Sequence, residues 1–264
     1  MTGVRIASAV VLAGGLMAVL FLAPPSWTVA LVVTIVAGCA WEWSGFLRLP
    51  SVLPRLAYLA LTLLWFVAGA WLAFGRGRLD VMLGIAAAWW LASLVWLVVL
   101  PEKSGRWPAV LAGWFVLVPA GVALLWLWVD PAYGLRWLLY VLLLVWAADT
   151  GAYFSGRAFG RHKLAPRVSP GKTWEGAAGG LVVVAVLAGF SAPLLGRSEL
   201  PFVAVSLMVA AFSIVGDLVE SLFKRHAGLK DSGRLIPGHG GLMDRLDSIM
   251  AAAPLLLLAT RLLR

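Results

Sequence analysis

Apolar stretches of about twenty residues, the length a helix needs to cross a bilayer, follow one another along this whole sequence. They run Ile6–Ala23, Trp27–Leu47, Leu56–Phe74, Leu79–Leu100, Trp107–Val129, Leu135–Phe154, Trp174–Leu195, Pro201–Phe223 and Gly241–Leu262. In lipid, backbone N–H and C=O groups are satisfied only within a helix or a closed barrel. Barrel strands would alternate polar and apolar residues, and these runs do not. The expected fold is therefore all-α: a polytopic transmembrane helical bundle of about nine spans. Composition agrees, with 62% hydrophobic and 12% charged residues against about half and a quarter in soluble domains. No polar block is long enough to fold separately, so residues 1–264 read as a single integral membrane domain. The first run follows Arg5 and resembles a signal peptide, but no small-residue cleavage site follows it. It is expected to remain as a span.

The formal charge of +9 would suit nucleic acid were the basic residues clustered on a soluble surface. Here they lie in short links between apolar runs, where anionic lipid and phosphorylated substrates are the expected partners. No nucleic-acid partner is expected. Lys and Arg are retained on the cytoplasmic side of a membrane. Taking alternate links from the N-terminus puts fifteen of the 21 basic residues on one side and six on the other. That bias places the N-terminus inside, the C-terminus outside, and two long polar loops, Ser155–Thr173 and Lys224–Gly240, in the cytoplasm. Trp27, Trp107 and Trp174 stand at run ends, as an interfacial belt requires. Cys39 is the only cysteine, which excludes a disulfide framework and a thiolate metal cluster.

Carboxylates inside apolar runs are the first chemical signal, because one at mid-membrane costs about 2.5 to 3.5 kcal/mol. Asp217 is such a residue, and it reads either as a site carboxylate or as an ion pair with Lys224 or another base near the interface. Glu220 has Lys224 one turn on, so the simple helix ion pair is its expected role. Asp244 and Asp247 are three apart and on a helix would share a face. With Asp217 they could hold a hard cation: magnesium takes one or two carboxylates, keeps waters, and lets phosphates complete its shell. An EF-hand is excluded by the missing alternation of acidic ligands. His239 has no partner at metal-ligand spacing, which argues for a phosphate or hydrogen-bonding role rather than zinc.

The two loops carry the rest. Gly238, Gly240 and Gly241 would let backbone N–H groups approach an anion at a helix start, or simply permit a tight turn. Gly171-Lys172-Thr173 suggests a P-loop, but that motif needs glycine where this chain has Pro166, and no soluble strand precedes it. Lys172 remains placed to bind phosphate, while Thr173 reads as the N-cap of the next span with Glu175 in its first turn.

The pattern Ser221-x-Phe223-Lys224-Arg225, Lys230-Asp231, Pro237-x-His239-Gly240-Gly241-x-x-Asp244-Arg245-x-Asp247 resembles the signature of the phosphatidate cytidylyltransferases, or CDP-diacylglycerol synthases. The block Ser169-Pro170-Gly171-Lys172-Thr173-x-Glu175-Gly176 and the entry Asp149-x-Gly151-Ala152-Tyr153 are also similar to that family. In motifs the resemblance covers the C-terminal half, residues 131–264, which would hold the catalytic spans and loops. Residues 1–130 resemble the family only as apolar spans.

The resemblance implies that a phosphatidic acid phosphate oxygen attacks the α-phosphorus of CTP and pyrophosphate leaves. It implies catalytic roles for Asp217, Lys224, Asp244 and Asp247. Asp217, Asp244 and Asp247 would position Mg2+, with a second cation such as K+ nearby. Ser169, Lys172, Thr173, Ser221, Arg225, Lys230, Asp231, His239, Gly240, Gly241 and Arg245 would bind substrate, Lys172, Lys224, Arg225 and Lys230 through phosphate oxygens. CTP would enter through the cytoplasmic loops, and phosphatidic acid would slide in laterally with its acyl chains still in lipid. Rival readings are a CTP-dependent lipid kinase, which would release CDP, and a cation-coupled transporter, for which acids in spans are equally natural. A CDP-alcohol phosphotransferase lacks its Asp-Gly-x-x-Ala-Arg core here. The compact chain without an organellar transit signal points to a bacterial plasma membrane, and its many small residues, suited to helix packing, to a homodimer.

Overall fold

The computed structural model describes residue 11 and residues 14–99, 106–130, 132–236 and 240–263. Its helices are α1 (residues 14–22), α2 (Pro25–Phe46), α3 (Val52–Ala70), α4 (Leu79–Val99), α5 (Arg106–Val129), α6 (Gly134–Phe159), α7 (Trp174–Leu194), α8 (Glu199–His226) and α9 (Asp247–Leu262). A π-helical turn, Trp71–Gly75, extends α3. Among the described residues seven stretches are long and apolar enough to cross a membrane: α2, α3 with its π turn, and α4 to α8. The first expected span falls partly outside the described residues. The last becomes helical only at Asp247 and is 16 residues long, short of the roughly 20 that a span needs.

The outer helices show why lipid is their solvent. Along α7 the buried residues are Gly176, Gly180, Val184, Ala188 and Ala192, a stripe one turn apart. Val182, Val186, Phe190 and Leu194 on its other faces are open. The same holds on α4, where Leu79, Leu83, Ala86, Trp90 and Ser93 are covered while Leu91, Val95 and Val98 are not. Apolar faces of that extent are expelled from water and accepted by acyl chains.

The short α9 is the covered centre. Every residue from Asp247 to Leu257 is buried, with α8, α5, α4 and α6 packed around it. A helix shielded by other helices needs neither the length nor the unbroken apolarity of one that meets lipid. One hydrophobic core runs from Leu20 to Leu257. Buried polar side chains inside it pair across helices: Trp43 Nε1 donates to the Ala109 carbonyl at 2.8 Å, and the Tyr140 and Ser206 hydroxyls meet at 2.6 Å.

Between α6 and α7 the backbones touch. A Cβ on Gly180 would lie 2.6 Å from the Ala148 carbonyl oxygen, and one on Gly151 would lie 2.9 Å from the Gly179 carbonyl oxygen. Small residues are what allow such an approach in a membrane.

The loops differ from their expected form. Helix α6 runs on past Phe154 to Phe159, because Ser155 and Gly156 stay packed on Gly179 and Thr173. Past the end of α6 the chain forms an antiparallel hairpin, β1 (Lys163–Ala165) and β2 (Ser169–Thr173), with Lys163 opposite Thr173 and Ala165 opposite Ser169. Its turn residue Val168 is buried against Leu218 and Leu222 of α8. Among the described residues the helices are therefore joined by one small two-stranded sheet.

Candidate active site

The hairpin and the C-terminal end of α8 meet at one end of the bundle. Arg225 Nε donates to the Val168 carbonyl at 3.3 Å, and Arg48 Nη2 donates to the His226 carbonyl at 2.5 Å. The two long polar segments therefore share an end with the α2–α3 link, as their basic residues led us to expect. At the far end Arg261 pairs with Asp80 at 2.6 Å.

Thr173 caps α7: its hydroxyl accepts the Gly176 N–H at 3.1 Å. Glu175, in the first turn, accepts the N–H groups of Arg161 and His162 and meets His162 Nδ1 at 2.6 Å. These contacts fix the hairpin on the helix, and the strand then aims Lys172 inward. Lys172 Nζ lies 2.6 Å from Asp217 Oδ2, so the partner of Asp217 is Lys172 rather than Lys224. Ser221 Oγ donates to Asp217 Oδ1 at 3.2 Å. Lys172, with Asp149, Tyr153, Arg157, Thr173 and Ile214, lines a cavity of about 520 Å³ bounded by α6, α7, α8 and the hairpin.

Beside this pair is a more deeply buried one. Lys224, 8% exposed, donates to Glu220 Oε2 and to Asp244 Oδ1, each at 2.6 Å. The helix ion pair expected of Glu220 is present, but the same ammonium also bridges to the loop. Asp244 Oδ2 accepts the N–H groups of Ser232 and Gly241, both at 2.9 Å. Burial raises the Asp244 pKa, but the Lys224 ammonium and the two N–H groups outweigh it and hold the carboxyl below its ordinary range.

Asp244 lies in a 3-10 turn, Met243–Arg245, and Asp247 is the first residue of α9. The expectation that both sit on one α-helical face is therefore corrected: Asp244 is drawn out of the helix by its bonds to Lys224 and the loop. Asp247 is buried and close enough to Asp217 and Glu220 to feel both charges. The approach depends on Gly216, where a Cβ would lie 2.7 Å from the Asp247 carbonyl oxygen. Among the described residues no three His, Cys, Asp or Glu side chains stand as a ready metal-ligand group.

Other expected site residues are placed differently. Gly240 takes a φ of 86° and serves the tight turn, and the Gly241 N–H is spent on Asp244. Arg225 holds the carbonyls of Val168 and Leu229. Ser169 is at the turn end of β2, opposite Ala165. Lys230, Asp231 and Arg245 are exposed on the loop around the site. His239 lies outside the described residues.

Two carboxylates were not singled out as site residues. Asp149 lines the cavity and interacts electrostatically with Lys172, Asp217 and Arg245. Glu42, 2% exposed on α2, accepts Ser232 Oγ at 2.9 Å and the Met243 N–H at 2.8 Å. The rule that flagged Asp217, an acid within an apolar run, applies equally to Glu42.

In chemical terms this end offers two ammonium groups held by carboxylates, two acids, Asp217 and Asp247, that sense each other's charge, and a cavity between membrane helices. Ammonium groups so placed are able to neutralise and orient phosphate groups. The model of the cytidylyltransferase family matches residues 3–263. The phosphatidate cytidylyltransferase of Haemophilus influenzae is 43% identical over 275 aligned residues, covering 95% of each chain. That of Pseudomonas aeruginosa is 41% identical over 259, covering 95% of this chain and 93% of the relative. That of Staphylococcus haemolyticus is 45% identical over 143, about half of each.

Proposed function

The chain belongs to the cytidylyltransferase family, and from that premise we propose that its polar end, with Lys172 at the cavity and Asp217 paired to it, is where CTP and phosphatidic acid react. The enzyme transfers the cytidylyl group of CTP to phosphatidic acid, giving CDP-diacylglycerol and pyrophosphate. A phosphate oxygen of the lipid forms the new bond to the α-phosphorus, and the bond from that phosphorus to the departing pyrophosphate breaks. The attacking phosphate is already anionic near neutral pH, so the demand on the protein is charge neutralisation and alignment more than proton removal.

The observation that carries the reading is the 2.6 Å Lys172–Asp217 pair at the cavity. Entering phosphate oxygens compete with Asp217 for the Lys172 ammonium. As Lys172 turns to phosphate, Asp217 Oδ2 is freed. Asp217 and Asp247 would then supply the one or two carboxylates a magnesium ion needs, with waters and phosphates as its other ligands. Asp244 is held by Lys224 and by two backbone N–H groups that no substrate displaces, so it orients Lys224, while Asp217, whose Oδ2 is held by the displaceable Lys172, and Asp247 would hold the ion. When bound, magnesium would polarise the attacked phosphoryl group and offset charge on the leaving pyrophosphate. Lys224 stays between Glu220 and Asp244 and presents fixed positive charge beside the reacting phosphates.

The same proposal puts this end in the cytoplasm of a bacterial plasma membrane. The excess of basic residues on the links at this end supports that orientation, and the relatives named above are bacterial. A homodimer through small-residue helix faces is part of it and is read by crosslinking in the membrane. The test is pyrophosphate release by purified protein in detergent. Release that requires CTP, phosphatidic acid and Mg2+ together is expected. CDP as the nucleotide product would instead make the protein a kinase.

A further inference from the structure

We propose that Glu42, on α2 and outside the motif-bearing half of the chain, is a positioning residue for the cytidylyl transfer, holding the Asp244 segment in place through Ser232. The inference rests on the reading that this end of the bundle is the reaction site. Glu42 is set among fully buried neighbours, Cys39, Ala40 and Trp43. A carboxylate there costs several kcal/mol of desolvation unless its contacts return it. Those contacts all lead to one place. Glu42 Oε2 receives the Ser232 hydroxyl and the Met243 N–H, at 2.9 and 2.8 Å. Ser232 Oγ, with its proton given to Glu42, accepts the Asp244 N–H at 3.3 Å. The Ser232 N–H then returns to Asp244 Oδ2, and Asp244 Oδ1 receives Lys224. A continuous chain of bonds thus runs from α2 to the lysine at the reacting phosphates.

The backbone around Glu42 supports this independently. The space beside Gly233 where a Cβ would sit is filled by the Glu42 carboxylate, and a Cβ on Gly241 would lie 2.6 Å from Glu42 Oε2. The loop is wrapped on this side chain with no slack on either flank. Glu42 Oε1 is enclosed without a hydrogen-bond partner, so the side chain serves through one oxygen as an acceptor. An acceptor at the right reach is what the loop needs, and negative charge is not.

Four variants test this: Glu42→Gln, Glu42→Asp, Glu42→Ala and Ser232→Ala. Gln keeps an acceptor oxygen at the same reach and should stay within about 3-fold of wild-type kcat. Asp, one methylene short, and Ala should lose about 10- to 100-fold in kcat, the usual range for groups that orient catalytic ligands. The Glu42→Ala and Ser232→Ala losses should not add in the double variant, since both break one chain of bonds. Hydrogen exchange at residues 240–246 gives a readout apart from turnover: protected in wild type and Gln, faster in Asp and Ala. If Ala does not fold, the Gln and Asp proteins carry the comparison. A Gln variant as impaired as Asp, an Ala variant with wild-type kcat, or exchange unchanged in Asp and Ala would overturn the proposal. A wild-type protein without turnover that still showed the exchange pattern would defeat the reaction assignment and leave the role of Glu42 in holding the loop.

Discussion

In the proposed reaction a phosphate oxygen and the Asp217 carboxylate compete for the Lys172 ammonium. Both side chains of the Lys172–Asp217 pair are about a quarter exposed, at 26% each, and partly hydrated ion pairs contribute at most about 1 kcal/mol to stability. Lys172→Met is therefore expected to melt within a few degrees of wild type in a thermal scan. Its kcat for pyrophosphate release should fall by about 100-fold or more, as when one preorganised donor to a developing charge is removed. Lys224 is the opposite case. It is buried between two carboxylates, and removing one member of such a set leaves uncompensated charge, costing about 3 to 5 kcal/mol. Lys224→Met should be visibly less stable in denaturant or thermal unfolding as well as inactive. At this scale much was legible in the sequence: Thr173 as a cap, the Glu220–Lys224 pair, and an acid in an apolar run, Asp217, that meets a base. The partner of Asp217 was not, because Lys224 lies on the same helix as Asp217 while Lys172 arrives from a different element.

Among the elements, the α6–α7 seam does the positioning that the motifs alone do not explain. Backbone contact at Gly151, Gly179 and Gly180 sets the distance between the helix carrying Asp149 and the helix that anchors the Lys172 strand. Gly180→Ala inserts a methyl against the Ala148 carbonyl and is expected to cost about 1 to 3 kcal/mol, typical of overpacking, and to lower kcat as the seam opens. Gly189, on the same helix with open space around it, gives the control: Gly189→Ala should leave both melting temperature and kcat within error or raise stability slightly. Elements that face lipid were read well from sequence, since a long apolar run has one outcome there. The start of α9 was not, because the spacing of Asp244 and Asp247 suits one helical face. What keeps the Asp244 segment out of the helix is the pull of Ser232 and Lys224, 12 and 20 residues from Asp244, and of the distant Glu42. The hairpin escaped notice for a related reason: five-residue β2 contains Pro170 and Gly171, and its pairing is stabilised by docking Val168 on α8 rather than by strand propensity.

Across the whole molecule the proposed chemistry is gathered at one end, and the other end is assigned to the fold. The Asp80–Arg261 pair stands at that second end, with Arg261 also 5.9 Å from the Trp126 ring. Arg261→Gln is expected to leave kcat and both KM values unchanged while lowering stability by no more than about 1 kcal/mol. From its sequence the N-terminal half reads only as apolar spans. In three dimensions α2 reaches the site through Glu42, a link of 190 residues to Ser232 and 201 to Met243, which no local pattern encodes. The central claim, that this bundle joins CTP to phosphatidic acid, is tested most directly by following both ends of the nucleotide at once. Purified protein would be given phosphatidic acid, Mg2+ and CTP labelled separately in the cytosine ring and at the γ-phosphate. The account predicts cytosine label in the lipid fraction and γ label only in aqueous pyrophosphate, whereas γ label in lipid with cytosine label in free CDP would contradict it.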